Sequence, residues 1–431
     1  MKFTCNTKEF KQVLAKVKKA IYLKTTLPIL GAVKIVADHE SQTVALSGTD
    51  LEVYLGIQMD AEVAESGDCG MMYKELEAML PRNVKKADEI TISIEDDTFI
   101  LDDGKLRTKG SPVDMSEYPM MDRIDLEWNS MDIGVQLSQC MGFVSTEDTR
   151  YFLNGCLIEN KGSLLNVVAT DGRMLKKTTQ EGLDGKDFAI ILPTQAMKIL
   201  NQVFTGSYCL GIAYEERKKS HDEPPEQAPM RAMFQQENMV MITRLIDGMY
   251  PDYESVIDGA RKRTEEASDI VFSKDQMEEM VTRLVSGKKL AKYAAQPAFV
   301  IDAIAERDVL SVSYQPKDEQ EQSAKIYGAV SKDVRLGLNP NALLALLQSF
   351  DEEEIKMNVA MPPRHEYGEL KGQPMAIHTL DPVLFSGDGS TTILMPMKLD
   401  DPGPVVVDEV EATEAEEQEN NEGSEDDGDS D

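Results

Sequence analysis

The chain is poor in the residues that build metal centres and covalent frameworks. Among 431 residues there are four histidines, His39, His221, His365 and His378, and no two stand at a metal-ligand spacing. The five cysteines, Cys5, Cys69, Cys140, Cys156 and Cys209, are odd in number, widely spread and form no C-x-x-C pair. This speaks against a disulfide scaffold or a zinc site and for free thiols in a reducing compartment. No stretch approaches the roughly 18 consecutive apolar residues of a membrane span. Met1-Lys2-Phe3-Thr4-Cys5-Asn6 carries a charge with no apolar run behind it, so no secretory signal is expected and the expected location is the cytoplasm. Catalytic signatures are missing too: no G-x-S-x-G elbow, no G-x-x-x-x-G-K-[ST] phosphate loop, no H-E-x-x-H. Ser386-Gly387-Asp388-Gly389-Ser390 precedes a strand rather than a helix and reads as a hairpin turn. Asp351-Glu352-Glu353-Glu354 reads as a solvated acidic turn. No catalytic residue, metal ligand or cofactor is expected.

Positive charge is also scarce. With 45 Lys and Arg against 77 Asp and Glu, the net charge is −32, which by itself argues against nucleic-acid binding. The imbalance is uneven. Residues 400–431 hold 15 acidic and no basic residues, which leaves −17 for residues 1–399. The terminal segment has no hydrophobic periodicity. Its run Glu416-Glu417-Gln418-Glu419-Asn420-Asn421-Glu422 offers nothing to bury, so a disordered tail is expected, acting as a solubiliser or as a weak competitor for a neighbouring groove rim or for basic surfaces. Any DNA-facing surface must be a local patch on the body.

The body repeats itself. Thr26-Leu27-Pro28-Ile29-Leu30-Gly31 leads to a strand and then Thr49-Asp50-Leu51; Phe152-Leu153-Asn154-Gly155 leads to a strand and then Thr170-Asp171-Gly172. The glycines are 124 apart and the Thr-Asp pairs 121 apart, while Tyr118-Pro119 and Tyr250-Pro251 are 132 apart. Duplicated domains fit this period and a solenoid does not. Three units are expected, 1–126, 127–262 and 263–399, with breaks near 124–130 and 258–268 and a polar surface insertion over 215–230.

Each unit opens with a strand and an amphipathic helix. Phe10, Val13, Leu14, Val17 and Ile21 form one helical stripe in the first; Met277, Met280, Val281, Leu284 and Val285 do so in the third; Leu137, Met141 and Val144 give a poorer match in the second. A second helix per unit is expected over 73–80, 194–203 and 341–350. Alternating runs such as 89–94 and 239–242 read as strands. The fold class is α+β, with two helices packed on antiparallel sheet in each unit.

Basic charge gathers on the first helix. Lys8, Lys11, Lys16, Lys18, Lys19 and Lys24 face only Glu9, so 8–24 is net +5. Lys85, Lys86, Arg283, Lys288, Lys289 and Lys292 follow elsewhere. The choice is between a solvated lysine face and a surface that attracts phosphates without reading bases.

Seven segments in order give the chain a family likeness: Met1-Lys2-Phe3, Thr26-Leu27-Pro28-Ile29-Leu30-Gly31, Gly48-Thr49-Asp50-Leu51-Glu52, Arg150-Tyr151-Phe152-Leu153-Asn154-Gly155, Ala169-Thr170-Asp171-Gly172-Arg173, Tyr250-Pro251-Asp252-Tyr253 and Met395-Pro396-Met397-Lys398-Leu399. Across 1–399 it resembles the bacterial DNA polymerase III beta subunits, the DNA sliding clamps. The resemblance implies a head-to-tail homodimer of three-domain subunits. Such a ring encircles duplex DNA without sequence preference, and its closure hides sheet edges. It implies a non-catalytic processivity factor that tethers the replicative polymerase, the clamp loader and repair proteins through short peptides with apolar anchors.

By the same resemblance, the peptide groove lies at the joint of the second and third domains. Its residues would be Leu153, Thr170, Gly172, Arg173, Met174, Leu175, Pro251, Val256, Ile393, Met395, Pro396, Met397 and Leu399, where methionines suit a site with several partners. DNA-facing positions would be Lys18, Lys19, Lys24, Arg150, Tyr151 and Lys198. Leu106 would meet Leu284 and Val285 across the subunit joint. The chain departs from the family at Arg173-Met174, where a second basic residue is usual, and at Ser255, where some members have arginine. The acidic body keeps open a clamp-fold scaffold that binds peptides without encircling DNA. A hydrolase has no residues to name.

Overall fold

The computed structural model describes residues 1–24, 26–82, 88–217, 226–285, 297–315, 320–361, 379–387 and 389–399. Expectations on Lys85, Lys86, Lys288, Lys289, Lys292, Asp388 and the tail 400–431 lie outside them. The chain divides into two compact units. The first holds Met1–Ser255 with Gln348–Asp351 and Gly387–Thr392; the second holds Val256–Leu347, Glu352–Ser386 and the described residues from Ile393.

In the first unit, β1 (Lys2–Asn6) runs straight into α1 (Thr7–Val17). Asn6 is extended and its side chain accepts from the Lys8 and Glu9 amides at 3.0 and 3.1 Å, filling two of the donors that a helix start leaves open. Phe10, Val13, Leu14, Val17 and Ile21 are all buried, so the predicted stripe is the packed face. Each such side chain contributes on the order of 1.5–3 kcal/mol. Next come β2 (Ala32–Asp38), β3 (Thr43–Thr49), β4 (Val53–Asp60), β5 (Glu62–Glu65) and β6 (Gly67–Met72). They are followed by α2 (Tyr73–Met79), β7 (Glu89–Glu95), β8 (Thr98–Asp102) and β9 (Arg107–Gly110). The pattern then recurs: β10 (Trp128–Met131), α3 (Gly134–Cys140), β11 (Gly155–Lys161), β12 (Leu164–Thr170), β13 (Met174–Glu181), β14 (Phe188–Pro193), α4 (Thr194–Val203), β15 (Tyr208–Arg217), β16 (Glu226–Gln236) and β17 (Met239–Arg244).

The strands form an antiparallel sheet β5-β1-β7-β8-β9, a second ordered β10-β15-β16-β17-β4-β3-β2-β6, and a run β14-β11-β12-β13. The second sheet joins the two repeats, because β17 pairs with β4 in the register Met239↔Ile57 to Thr243↔Val53. The two ends of the insertion expected over 215–230 are strand and not loop. β15 to Arg217 and β16 from Glu226 are paired antiparallel strands, and Pro229 is accommodated at a register shift opposite Tyr214; residues 218–225 of the expected insertion lie outside the described residues.

The second unit contains most of α5 (Tyr253–Arg263), then β18 (Ala267–Ser273), α6 (Lys274–Leu284), β19 (Phe299–Ile304), β20 (Val309–Tyr314), β21 (Gln322–Val330), β22 (Val334–Leu338), α7 (Pro340–Leu347), β23 (Glu354–Ala360) and β24 (Val383–Gly387); β25 (Ser390–Leu394) ends in it. Its strands are ordered β24-β23-β18-β21-β20-β19-β22. The third copy of the repeat is therefore visible as β18-α6 and β22-α7, alongside β1-α1 and β6-α2 and alongside β10-α3 and β14-α4. Met277 and Val281 are buried, and Met280, Leu284 and Val285 are half-buried.

The charged stretch at the break expected near 258–268 is not irregular throughout: α5 extends into it as far as Arg263, and β18 begins at Ala267. Tyr253, Ile257 and Ala260 are buried at helical spacing, and Asp252 caps the start by accepting from the Ser255 amide at 3.1 Å. The charged run Arg261-Lys262-Arg263 fills the last turn, where cations suit the helix dipole.

Candidate functional site

The two Thr-Asp echoes are one and the same turn. After β12, the Asp171 carboxylate accepts from the Arg173 and Met174 amides, both at 2.9 Å, and Gly172 N–H donates to Thr170 Oγ1 at 3.1 Å. After β3, Asp50 accepts from Glu52 and Val53 at 3.0 and 2.7 Å, and Leu51 N–H donates to Thr49 Oγ1 at 3.1 Å. The tip residue is left-handed in both: φ is +85° at Gly172 and +81° at Leu51. Glycine takes that conformation at no steric cost; leucine does not.

Around the second turn the structure builds a rigid shelf. Tyr250 hydroxyl donates to Val168 O at 3.2 Å and accepts from the Thr170 amide at 3.1 Å. Burial raises this phenol well above its ordinary range, so it stays a donor. Arg150 reaches beneath the tip. Its Nη2 donates to Asp171 O at 3.0 Å, and its Nη2 and Nε donate to Glu147 Oε2 at 2.8 and 3.1 Å. A Cβ on Gly172 would fall inside 3 Å of Arg150 Nη1. Leu153, Thr170, Met174 and Leu175 are buried as the floor; Gly172, Arg173 and Pro251 are exposed above it.

Sequence reasoning missed Glu147, which holds Arg150, and Tyr250, although the Tyr-Pro echo marked its position. It also missed Lys176. This lysine is fully buried next to Leu175, and its Nζ donates to Ser349 O and Oγ at 3.0 and 3.1 Å beside the Phe350 ring.

The remaining predicted groove residues belong to the second unit. Val256 is exposed on α5, Met395 is exposed, Pro396 and Met397 are half-buried, and Ile393 and Leu399 are core. Met397 N–H donates to Gly337 O at 2.7 Å, and Leu399 packs over Gly337, where a side chain would collide with it.

The predicted DNA-facing cations are not equivalent. Lys18 pairs with Glu77 at 3.7 Å and lies over Tyr73. Arg150 is committed to the shelf. Tyr151 is exposed and meets Phe152 edge-on at 5.9 Å. Lys19 Nζ donates to Gln202 Oε1 at 2.6 Å, and Gln195 Nε2 donates to Lys19 O at 2.6 Å. Gln195, Lys198 and Gln202 share one face of α4 at three- and four-residue spacing. Lys8, Gln12, Ala15 and Lys19 likewise fall on one side of α1 and its continuation. Lys19 is thus the joint of a ridge that runs from α1 onto α4, with Lys8 and Lys198 exposed along it; Lys24 is exposed on the loop beyond. Among the described residues no carboxylate pairs with Lys8, Lys19, Lys24 or Lys198.

Leu106 is exposed on the turn between β8 and β9, where Asp103 accepts from the Lys105 and Leu106 amides at 2.9 and 2.7 Å; those bonds hold its carboxyl below the usual range. Leu284 and Val285 lie at the end of α6 in the other unit. The described residues contain no metal-binding cluster of His, Cys, Asp or Glu, and no helix among them is long and apolar enough to cross a membrane.

A family model described as the N-terminal domain of the DNA polymerase III beta subunit matches residues 1–122, and one for the central domain of the same subunit matches 136–252. The beta sliding clamp of Pseudomonas aeruginosa is 23% identical over 417 residues, covering 93% of this chain and 100% of its own. The crystal structure of a DNA polymerase sliding clamp from Bacillus subtilis is similar with a TM-score of 0.74 at 19% identity, covering 93% of this chain and 99% of its own. A Helicobacter pylori beta clamp bound to a DNA ligase peptide is similar with a TM-score of 0.71 at 17% identity, covering 92% of this chain and 100% of its own.

Proposed function

The chain belongs to the DNA polymerase III beta subunit family, the beta sliding clamps, and on that premise we propose that it works as a closed, non-catalytic ring in the cytoplasm. It is a DNA sliding clamp of replication; what we add is how this chain does it. Two copies join head to tail, each contributing three domains, 1–126, 127–262 and 263–399. The exposed Leu106 beside the end strand β9 is one side of the joint, and Leu284 with Val285 the other. Duplex DNA passes through, attracted by the ridge of Lys8, Lys19 and Lys198 together with Lys24; Lys18, paired with Glu77, adds little, and the exposed Tyr151 contributes contact and not charge. Lysines suit sliding because a mobile point charge does not lock to one phosphate.

Partner proteins are held through short peptides. The Thr170–Leu175 shelf with Leu153 and Pro251 receives an apolar anchor. Val256 and the Met395-Pro396-Met397 segment, backed by Ile393 and Leu399, serve the same binding function. A polymerase, a clamp loader and repair proteins are the expected partners, and the clamp–ligase-peptide complex of the Helicobacter protein supports this mode. Arg150 serves the shelf and not the DNA, because its guanidinium is spent on Glu147 and Asp171.

The observation that carries the ring is the ridge of lysines without a carboxylate partner among the described residues, in a body of net −17. That same acidity favours the other reading, a peptide-binding scaffold that does not encircle DNA. Light scattering after size exclusion, with retention on nicked circular DNA, separates them. A dimer retained on circles and lost on linearisation is expected; a monomer that is not retained overturns the ring.

A further inference from the structure

We propose that the acidic segment 400–431 docks on the lysine ridge of its own chain and acts there as a reversible competitor of duplex DNA. The proposal rests on the ridge being the DNA-facing surface. It commits to one occupant, for three reasons.

The first is charge complementarity. The segment carries 15 carboxylates and no cation. The ridge offers the ammonium groups of Lys8, Lys19 and Lys198, with Lys24 on the loop beyond it, none paired with a carboxylate among the described residues. Four other lysines are already engaged: Lys18 with Glu77, Lys34 with Asp68, Lys177 with Glu254, Lys356 with Asp269. What sets the ridge apart is that Lys8, Lys19 and Lys198 lie along one continuous ridge of α1 and α4, whereas other exposed lysines such as Lys109 on β9 and Lys161 on β11 stand on separate strands.

The second is connectivity. The described chain ends at Leu399, and 32 further residues follow to Asp431. Their contour is at most about 110 Å, so reach does not limit the contact. Tethering raises the effective concentration of the segment to roughly the millimolar range, which lets weak surface ion pairs add up.

The third is the distribution of acid along the segment. Pro402-Gly403-Pro404-Val405-Val406-Val407 contains no charge, and thirteen of the fifteen carboxylates lie in 408–431. An uncharged leader followed by a concentrated polyanion suits docking at a distance from the point of attachment better than an evenly charged solubilising tail.

Such a contact is weak in salt and yields to DNA, whose phosphates are more closely spaced. It would hold the open clamp off stray duplex while leaving the loaded ring free to slide.

Zero-length carbodiimide crosslinking of the full chain tests this. At about 50 mM salt, carboxylates of 408–431 should couple to Lys8, Lys19, Lys24 and Lys198 several-fold more than to the exposed Lys109 and Lys161. About 0.5 M salt, or excess duplex, should abolish the preference. Equal coupling to Lys109 and Lys161, or none to the ridge, overturns docking. A full-length variant with every Asp and Glu of 408–431 replaced by Asn and Gln provides the second readout. It should bind linear duplex roughly tenfold more tightly than the parent at about 50 mM salt and within twofold at about 0.5 M. Equal affinity at low salt overturns the competition. Failure of DNA binding in both proteins, with ridge crosslinks intact, would count against the DNA-facing reading and not against docking.

Discussion

Gly172→Ala should damage the proposed peptide shelf in about equal parts through its own backbone and through Arg150. Gly172 has φ +85°, where alanine costs about 1 kcal/mol relative to glycine. The new Cβ also falls inside 3 Å of Arg150 Nη1, and the guanidinium is tied to Asp171 O at 3.0 Å and Glu147 Oε2 at 2.8 Å. Hydrogen bonds to charged groups contribute about 1.5–3 kcal/mol when buried. The Arg150 and Glu147 side chains are 37% and 33% exposed, so water recovers part of the loss and about 1 kcal/mol is the appropriate figure. Together the substitution costs about 2 kcal/mol locally. In an Arg150→Ala background the collision is gone and only the backbone cost of about 1 kcal/mol remains, which leaves a coupling of about 1 kcal/mol in the double-mutant cycle. The chain has several domains, so a single unfolding free energy is a poor measure. Native-state hydrogen exchange of the Gly172, Arg173 and Met174 amides reports the opening of this turn directly. The reasoning is refuted if Gly172→Ala lowers protection equally with and without Arg150, or leaves it unchanged.

The twin turn predicts the opposite sign. Leu51→Gly releases a left-handed leucine but adds flexibility to the unfolded chain, so a neutral to stabilising effect of up to about 1 kcal/mol is expected, seen as an unchanged or raised melting temperature. Met395→Asp with Met397→Asp should abolish binding of a polymerase tail peptide while the dimer persists, because a carboxylate placed against a bound apolar anchor is costly; unchanged anisotropy titrations would rule this out. At neutral pH four of the five thiols should resist a thiol reagent in the native state, Cys209 alone being only half-buried. Burial pushes Cys5 and Cys69 up to about 12 from the ordinary 9.0. A raised value favours the protonated folded form. Their contribution is complete below pH 9 and is lost as pH rises towards 12, so alkaline titration should lower the melting temperature and bring the slow thiols into reaction together.

Legibility in the sequence followed the range of the interactions. The α1 stripe was readable because Phe10, Val13, Leu14 and Val17 face one core, with Thr7 at the helix start the one polar side chain buried beside them. Helix α5 was not, because its spacing of Tyr253, Ile257 and Ala260 is hidden among Arg261, Lys262 and Arg263, and the eye follows charge. The Thr-Asp echoes marked the twin turns, since one carboxylate capping two amides needs only neighbours in sequence. The pairing of β17 with β4 left no trace, although it fuses two repeats into one sheet, because backbone pairing between strands some 180 residues apart requires nothing of their side chains beyond ordinary alternation.

Charge shows the same limit most clearly. Lys18, Lys19, Lys176 and Arg150 are alike as letters, and the sequence can only count them. In the fold, Arg150 is consumed by Glu147 and a backbone carbonyl, Lys176 is sealed in the core against Ser349, Lys18 is paired with Glu77, and Lys19 keeps its charge open with only an amide oxygen at hand. A long-range partner responds to the cations that remain open. On that ground we propose a DNA-facing surface on a chain of net −32, and its test is the removal of Lys8, Lys19, Lys24 and Lys198 rather than of the arginine that resemblance would select first. Replacing those four by glutamine should weaken salt-sensitive retention on circular DNA and flatten its salt dependence, since each lost phosphate contact removes close to one unit of slope. Arg150→Gln should leave the slope as it is and weaken peptide binding instead. An Arg150→Gln protein with a flattened slope and intact peptide affinity would return the arginine to the DNA and undo this assignment.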